Sequence, residues 1–440
     1  MTHAYSTRRL ALLATLAATV MLTSCGGGSS GGGSGTTQIR ALNLTLDTPS
    51  IDVSIGGNRQ FSAQATGALA SYVGLDANTY TVNVNAAGNT SALLTGSYTL
   101  AKDTNYTAVV WGNQSNLRLT TLPENETASV TVGTSRVRLF NATTETGSMD
   151  VYLTAPDADL SASTPVQASL TPGTLSSFRD VTPLTRRLRV TGVGDPSDIR
   201  LDIPALTFPD GKYSTLVITA GIGGVLVNGT LIVQQGALTA ATNTQARVRV
   251  AASVNSGGTV GMSVGGTTLA GSLRSPSLQL YSLVPAGNVN VTVRVNGNVV
   301  SNTNRNLLAG ADYTLLTMGP PATANLVVLT DDNRQPTSAT RAKVRMVNGI
   351  FGSEPLTLSV DLLPVSTDVP AGTASTYTLT PSTTTAPVQV SSPTTGILFQ
   401  STALVPVPLA GQTVYSMFML SGATDTGGNQ VATGVMRKDR

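Results

Sequence analysis

The sequence contains four copies of one pattern, and such an internal repeat constrains the fold of a chain more than its composition does. Each copy opens with an apolar residue followed by an arginine, and apolar residues recur 13 and 15 positions after that arginine. A spacing of two places both side chains on one face of a β-strand. Each copy ends with a turn, a tyrosine and an apolar strand. The opening arginines are Arg40, Arg138, Arg249 and Arg345, and the tyrosines are Tyr106, Tyr213, Tyr313 and Tyr415.

The length of the copies and their pattern of strand and turn residues predict the fold class. Units of about 100 residues, with short alternating strands and Gly, Pro, Asn and Asp turns, are typical of β-sandwiches. Only 11% of the residues are charged, which is low for a helix-rich protein. We therefore expect an all-β chain of four tandem immunoglobulin-like or related β-sandwich domains, arranged as a rod or string behind a signal peptide and a flexible Gly/Ser tether. The predicted boundaries are 1–24 for the signal, 25–37 for the lipidated tether, and 38–134, 135–244, 245–340 and 341–440 for the repeats.

The amino terminus predicts export and lipid attachment. Arg8 and Arg9 precede an apolar run that is too short to span a bilayer. The following Leu22-Thr23-Ser24-Cys25 segment resembles the lipobox of bacterial lipoproteins. That resemblance implies cleavage between Ser24 and Cys25, acylation of the Cys25 thiol, and, since Gly26 is not an aspartate, the outer rather than the inner membrane. An ordinary secretory signal that contains a cysteine is the alternative.

The repeats also resemble a known family. The second copy carries Arg138-Leu139-Phe140-Asn141 followed by Met149-Asp150-Val151-Tyr152, and the third carries the turn Pro285-Ala286-Gly287. These motifs resemble the bacterial extracytoplasmic domain-of-unknown-function family 4397, over most of residues 38–440. The resemblance implies an exported, often repeated β domain with no established activity, catalytic residue or ligand. The third copy lacks the asparagine and the aspartate, and the fourth has Thr357 in place of the aspartate.

The recurring residues suggest local hypotheses. The tyrosines resemble the tyrosine corner of immunoglobulin-like domains, in which the hydroxyl bonds a nearby backbone group, and simple packing at a strand start is the alternative. We expect Arg40 with Asp52, and Arg138 with Asp150, to form cross-strand ion pairs. The second copy has about eight extra residues in the stretch Pro156–Pro172, which form either a binding loop or a tolerated surface insertion.

Composition excludes several kinds of catalytic site. The chain has one cysteine, Cys25, and one histidine, His3. Once the signal is removed, no histidine remains for a Ser–His–Asp triad or a Cys–His zinc site, and no intramolecular disulfide can form. Removal of Arg8 and Arg9 leaves a net charge near +1, and the densest basic patch, from Arg186 to Arg189, is explained by a solvated strand face, so no nucleic-acid partner is indicated.

Four short motifs resemble functional sites but fit turns or strands better. Ser263 lies in a G-x-S-x-G match that alternates like a strand, so it is not a nucleophile elbow. Asp425-Thr426-Gly427 resembles an aspartic-protease loop without its second copy. We interpret residues 221–224, which are glycine-rich, as a hairpin turn. Acidic groups that fit solvated turns, with adventitious calcium as the alternative, are Asp157/Asp159, Asp195/Asp198 and Asp331/Asp332/Asn333.

The sequence thus favours a non-enzymatic, lipid-anchored envelope protein, a structural or partner-binding module with no cofactor and no metal. Its expected partners are the membrane, through Cys25, and a glycan or an envelope protein. A carboxylate-dependent envelope hydrolase such as a glycosidase, and a passive spacer without a ligand, are the alternatives.

Overall fold

A computed structural model of the chain describes residues 35–401, 407–424 and 430–440. The predicted signal, the cleavage site between Ser24 and Cys25, most of the tether and Asp425-Thr426-Gly427 lie outside the described residues. The described chain consists of β-strands with two 3₁₀ turns, Gln114–Asn116 and Asn255–Gly257. The all-β prediction is therefore confirmed.

The first repeat has eight strands, and each later repeat has nine. Those of the first are β1 (Thr36–Thr45), β2 (Ser50–Ile55), β3 (Asn58–Ala65), β4 (Val73–Asp76), β5 (Asn78–Ala86), β6 (Ala92–Leu100), β7 (Asn105–Gly112) and β8 (Arg118–Pro123). They form two sheets, of order β4–β1–β7–β8 and β3–β2–β5–β6.

The second repeat has an additional strand on one sheet. Its strands are β9 (Ser135–Ala142), β10 (Met149–Thr154), β11 (Gln167–Leu170), β12 (Arg179–Val181), β13 (Thr185–Gly192), β14 (Asp195–Thr207), β15 (Tyr213–Ala220), β16 (Val227–Val233) and β17 (Leu238–Ala241). The sheet orders are β12–β9–β15–β16–β17 and β11–β10–β13–β14.

The third and fourth repeats share one topology. The third contains β18 (Gln245–Val254), β19 (Thr259–Val264), β20 (Thr267–Arg274), β21 (Ser277–Leu278), β22 (Ser282–Pro285), β23 (Gly287–Val295), β24 (Asn298–Leu307), β25 (Asp312–Gly319) and β26 (Asn325–Asp331). The fourth contains β27 (Arg341–Gly349), β28 (Leu356–Val360), β29 (Leu363–Val369), β30 (Thr373–Ala374), β31 (Thr378–Pro381), β32 (Val388–Ser392), β33 (Gly396–Gln400), β34 (Thr413–Thr424) and β35 (Gln430–Lys438).

In every repeat, the strand with the opening arginine pairs in parallel with the strand that follows the recurring turn. These pairs are β1–β7, β9–β15, β18–β25 and β27–β34. We call the sheet that contains this pair the pairing sheet and the other sheet of the same repeat the outer sheet. Inward side chains of both sheets form one hydrophobic core in each repeat, as in a β-sandwich.

The tyrosine-corner hypothesis is confirmed in three repeats. The hydroxyls of Tyr106, Tyr313 and Tyr415 each accept a hydrogen bond from the backbone N–H five residues upstream, at 3.0 or 3.1 Å. In the second repeat the hydroxyl of Tyr213 accepts a bond from Arg136 instead, at 3.2 Å. There the backbone N–H of Phe208 already bonds the carbonyl of Leu184.

The repeats do not form a simple string, because their pairing sheets pack face to face. An apolar cluster joins repeats 1 and 2 and contains Trp111 and Phe140, whose rings meet edge to face at 5.7 Å. A second cluster joins repeats 3 and 4 and contains Leu316 and Phe418. Alternate residues of one strand thus face the core and the neighbouring repeat, so both faces of a pairing sheet are buried.

Candidate functional site

Each opening arginine projects from its pairing sheet toward the neighbouring repeat. Its neighbours along the strand, such as Ile39 and Ala41 beside Arg40, belong to the core, so strand alternation turns the arginine to the opposite face. Each guanidinium donates from Nε to a hydroxyl directly across the parallel pair, at 2.8 or 2.9 Å. The pairs are Arg40–Thr107, Arg138–Thr215, Arg249–Thr314 and Arg345–Ser416.

An aromatic ring covers each of these guanidinium groups. The Cζ atoms lie 4.6 to 4.9 Å from the ring centroids of Tyr72, Phe178, Tyr281 and Tyr377. The geometry is that of a cation–π contact. Sequence reasoning missed these rings, although their spacing is regular: the aromatic residue follows the arginine by 32 positions in three repeats and by 40 in the second.

Two reciprocal ion pairs cross the interface between repeats 3 and 4, and each repeat supplies one arginine and one aspartate. Arg249 of repeat 3 contacts the carboxylate of Asp439 in repeat 4, and Arg345 of repeat 4 contacts Asp331 in repeat 3. Arg249 also lies 3.6 Å from Asp331. Both carboxylate side chains are 0% exposed. This exchange is the pattern of a two-fold symmetric interface, formed here within one chain.

The surroundings of these charges shift their pKa values. Burial opposes ionisation of Asp331, but Arg345, Arg249 and hydrogen bonds from Tyr281 and Thr314 outweigh it, so that the pKa of Asp331 is lowered. Burial also opposes the charge of Arg249, yet the acidic groups around it raise the pKa of its guanidinium. Asp331 and Arg249 therefore both stay charged at neutral pH.

The interface between repeats 1 and 2 contains the two corresponding arginines, Arg40 and Arg138, but it has fewer carboxylates to balance their charge. Arg40 pairs with Glu124 at 2.8 Å and donates to the backbone carbonyls of Val233 and Gly236 across the interface. Arg138 donates to the carbonyl of Pro123 at 2.8 Å and has no carboxylate within 4.0 Å among the described residues. Burial lowers the pKa of Arg138 as a result.

A glycine-rich turn joins the two pairs of repeats. Residues 221–224 connect β15 to β16, which confirms the hairpin interpretation. The N–H of Gly223 bonds the carbonyl of Gly310, and the carbonyl of Gly223 accepts from the N–H of Asn333, both in repeat 3. A Cβ at Gly223 would lie 2.6 Å from the backbone nitrogen of Asp312, so only glycine permits this approach.

The expected Arg–Asp ion pairs are wrong. Asp52 and Asp150 lie on the outer sheets, whereas the arginines lie on the pairing sheets and face away from them. Each aspartate instead accepts backbone N–H bonds: Asp52 from Ala63 at 2.7 Å, and Asp150 from residue 169 at 2.7 Å and residue 194 at 2.9 Å. They hold the irregular edge strands β3 and β11 in place.

The extra loop of repeat 2 covers a pair of strand arginines. Arg187 donates to the carbonyl of Pro156 at 2.8 Å, and Arg189 donates to that of Ala158 at 2.9 Å. Arg189 is 5% exposed, so the interpretation of this basic patch as a solvated strand face is wrong for that residue. The inserted residues thus supply one carbonyl group to each of these two guanidinium groups.

The remaining motifs have local partners. Ser263 lies within strand β19, opposite Thr292, in a regular ladder. Asp159 accepts from the N–H of Ser161, and Asp195 does the same for residue 197. Asp332 pairs with Arg334 and Lys343, which packs over the ring of Tyr377. Its neighbours Asp331 and Asn333 are 1% and 0% exposed, so the interpretation of this acidic group as a solvated turn is wrong for both of them. Over residues 35–401, 407–424 and 430–440, no group of three or more His, Cys, Asp or Glu could hold a metal ion. The same residues contain no helix that could cross a membrane.

A model of the family described as "Domain of unknown function (DUF4397)" matches residues 37–152 and 246–358. The chain belongs to the DUF4397 family. The two matches begin at the first strands of repeats 1 and 3, in agreement with the internal repetition of this DUF4397 chain. No curated protein matches it.

Among solved structures, the DUF4397 chain is similar to one described as a "putative cell adhesion protein" from Bacteroides uniformis ATCC 8492. The identity is 11%, the TM-score is 0.18, and the match covers 46% of this chain and 98% of the other. At that score the similarity carries no argument about fold or function.

Proposed function

We propose that the chain is a non-enzymatic, lipid-anchored protein of the bacterial envelope, in which paired β-sandwich repeats form a stiff body that presents its outer sheets and loops to a glycan or a protein partner. The observation that carries the proposal is that the recurring charged residues form ion pairs between repeats. Arg249, Asp439, Arg345 and Asp331 bind one another between repeats, and so serve assembly.

The same observation argues against a hydrolase site at these carboxylates. A glycosidase requires two carboxyl groups that flank an accessible glycosidic bond. Asp331 and Asp439 both approach Arg249, but their side chains are 0% exposed and lie between two packed sheets. A sugar could reach them only after repeats 3 and 4 had separated.

The anchor rests on the leader sequence. Cleavage between Ser24 and Cys25 would leave Cys25 as the attachment point, and the Gly/Ser segment up to Gly35 would separate the lipid from β1. We place the protein in the outer membrane because Gly26 is not an aspartate. A Gly/Ser segment of this composition would give a surface protein reach without loss of the shape of its folded body.

Fractionation tests the anchor. We expect the wild-type chain in the membrane fraction and the Cys25→Ala variant in the soluble fraction, with radiolabelled palmitate incorporated only by the wild type. Ser29→Ala, in the same tether, is the matched control and should leave both readouts unchanged. Retention of the Cys25→Ala chain in the membrane would refute the lipid anchor. Binding to an envelope glycan and protein array, measured on the full chain, tests the partner.

A further inference from the structure

One end of repeat 4 contains a cavity of about 230 Å³. It lies between β29, an edge strand of the outer sheet, and β31, an edge strand of the pairing sheet, where the two sheets of the sandwich separate. Apolar side chains such as Val365, Leu379 and Ala386 dominate its lining. The cavity therefore continues the hydrophobic core toward solvent.

Repeat 1 has a cavity at the corresponding point, between β3 and β4, but polar residues such as Thr36, Gln38 and Asn58 contribute to its lining. In each repeat, the residue three positions before the opening arginine pairs with an inward-facing residue of the edge strand. That edge-strand residue is Leu75, Val181 or Val284 in the first three repeats and Thr380 in the fourth. The aliphatic residues pack into their cores, whereas Thr380 is shorter than leucine and carries a hydroxyl.

The hydroxyl of Thr380 lies at the wall of this cavity. Thr380 is 7% exposed and lines the cavity, and its Oγ1 is buried without a hydrogen bond among the described residues. Buried polar groups in folded proteins are normally paired, so an unpaired one beside a cavity indicates a missing partner. A valine here, as in two sister repeats, would have avoided the unpaired group.

The mouth of the cavity departs from the sister repeats as well. The hairpin turns at this position are Gly56-Gly57 in repeat 1 and Gly265-Gly266 in repeat 3, all with positive φ. Repeat 4 has Asp361 and Leu362 there, with φ of 51° and 61°. A leucine in this conformation is strained, and Leu362 is 74% exposed, so it gains no burial in return.

We propose that this cavity binds a small uncharged molecule that has an aliphatic or single-ring body and one hydroxyl or carbonyl group, with Thr380 Oγ1 as its hydrogen-bond partner. An apolar cavity of about 150 Å³ is large enough for benzene, so this one has room for a somewhat larger body. Asp361, the one charged residue among the described residues of the lining, disfavours an anionic ligand. The inference goes beyond the proposed function, because it names a ligand class and does not depend on the lipid anchor.

The test is a titration of the full chain carrying Cys25→Ala with 1-hexanol, followed by calorimetry and saturation-transfer NMR. We expect one saturable site. Thr380→Leu, which restores the residue of repeat 1, should weaken binding at least tenfold while the unfolding midpoint is kept or raised. Thr380→Val should weaken it about two- to tenfold through loss of one hydrogen bond. Hexanoate should bind at least tenfold more weakly than 1-hexanol to the unsubstituted site.

Thr268→Leu is the matched control, since it adds a leucine to an exposed edge-strand position of repeat 3. It should leave the affinity for 1-hexanol unchanged. Absence of saturable binding up to the solubility limit of 1-hexanol would overturn the proposal, and so would equal affinity of the Thr380→Leu and parent chains. Neither outcome bears on the fractionation of the Cys25 variant, which tests the proposed function separately.

Discussion

Removal of the charge of Asp331 is expected to loosen repeats 3 and 4 from each other. Its carboxylate accepts hydrogen bonds from Tyr281 at 2.6 Å and from Thr314 at 2.7 Å, and contacts Arg345 across the interface. Asp331→Asn keeps the volume and one acceptor oxygen but leaves Arg345 and Arg249 buried with one carboxylate fewer. Breaking a buried ion pair from one side costs about 3–5 kcal/mol, and the retained oxygen places the expected loss at about 3 kcal/mol.

Urea unfolding of the full chain measures this loss by two probes. Circular dichroism follows all repeats, whereas the fluorescence of Trp111, the single tryptophan of the chain, follows the interface of repeats 1 and 2. We expect Asp331→Asn to lower the circular-dichroism midpoint of one phase by about 1 M or more and to leave the fluorescence midpoint in place. The matched control is Asp332→Asn, whose side chain is 37% exposed and whose loss should cost about 1 kcal/mol or less. Equal effects of the two substitutions would refute the reasoning.

The same carboxylate predicts a direction of pH dependence. The pKa of Asp331 is lower in the folded chain than in the unfolded one, so its contribution to stability is complete above the unfolded value of about 4. The contribution is lost as the pH falls through the folded value. Acid titration of the unfolding midpoint should therefore show a decline below about pH 4 that is shallower in Asp331→Asn. Parallel curves for both chains would contradict this assignment.

Three further substitutions test other parts of the fold by thermal or urea unfolding. Tyr415→Phe should cost about 1–3 kcal/mol because it leaves a backbone N–H without its acceptor, whereas Tyr213→Phe, which loses only a bond from a partly exposed arginine, should cost less. Gly223→Ala should destabilise the junction of repeats 2 and 3 through a backbone clash and increase proteolysis there, whereas Gly271→Ala, with nothing within 4 Å of its Cβ, should be neutral. Leu362→Gly should raise stability by up to about 1 kcal/mol through relief of its positive φ, and a loss of stability would show that the leucine makes contacts that favour folding.

The sequence predicted what depends on short-range spacing. Alternation placed the apolar pairs on strands, and the repeat length indicated sandwiches. The tyrosine corner was predicted from a resemblance to immunoglobulin-like domains, and the hydrogen bonds of the Tyr106, Tyr313 and Tyr415 hydroxyls confirmed it. The repeat also contained a signal that was not used, the aromatic residue 32 positions after the arginine, which the structure places over the guanidinium. Periodicity found the strands because neighbours along a strand have a fixed geometry.

The partners of the charged residues could not be predicted in this way. Arg40 and Asp52 look like neighbours along the chain, but strand alternation and the division into two sheets separate them. Arg249 instead meets Asp439, 190 residues away, because two pairing sheets pack face to face. The opening arginines look equivalent in sequence, yet Arg138 has no carboxylate partner in the described interface while Arg249 has two.

The sequence by itself thus determined the strand content, the fourfold repetition and, as a prediction, the lipidated leader. Tertiary structure alone decided which face of each sheet is buried against another repeat, and that the hydroxyl of Thr380 is buried beside an apolar cavity without a partner among the described residues. The physical reason is the difference between short-range and long-range interactions. Local patterns record which side of a strand is apolar, but the partner of a buried charge, or the room left beside a side chain, depends on surfaces that only long-range packing brings together.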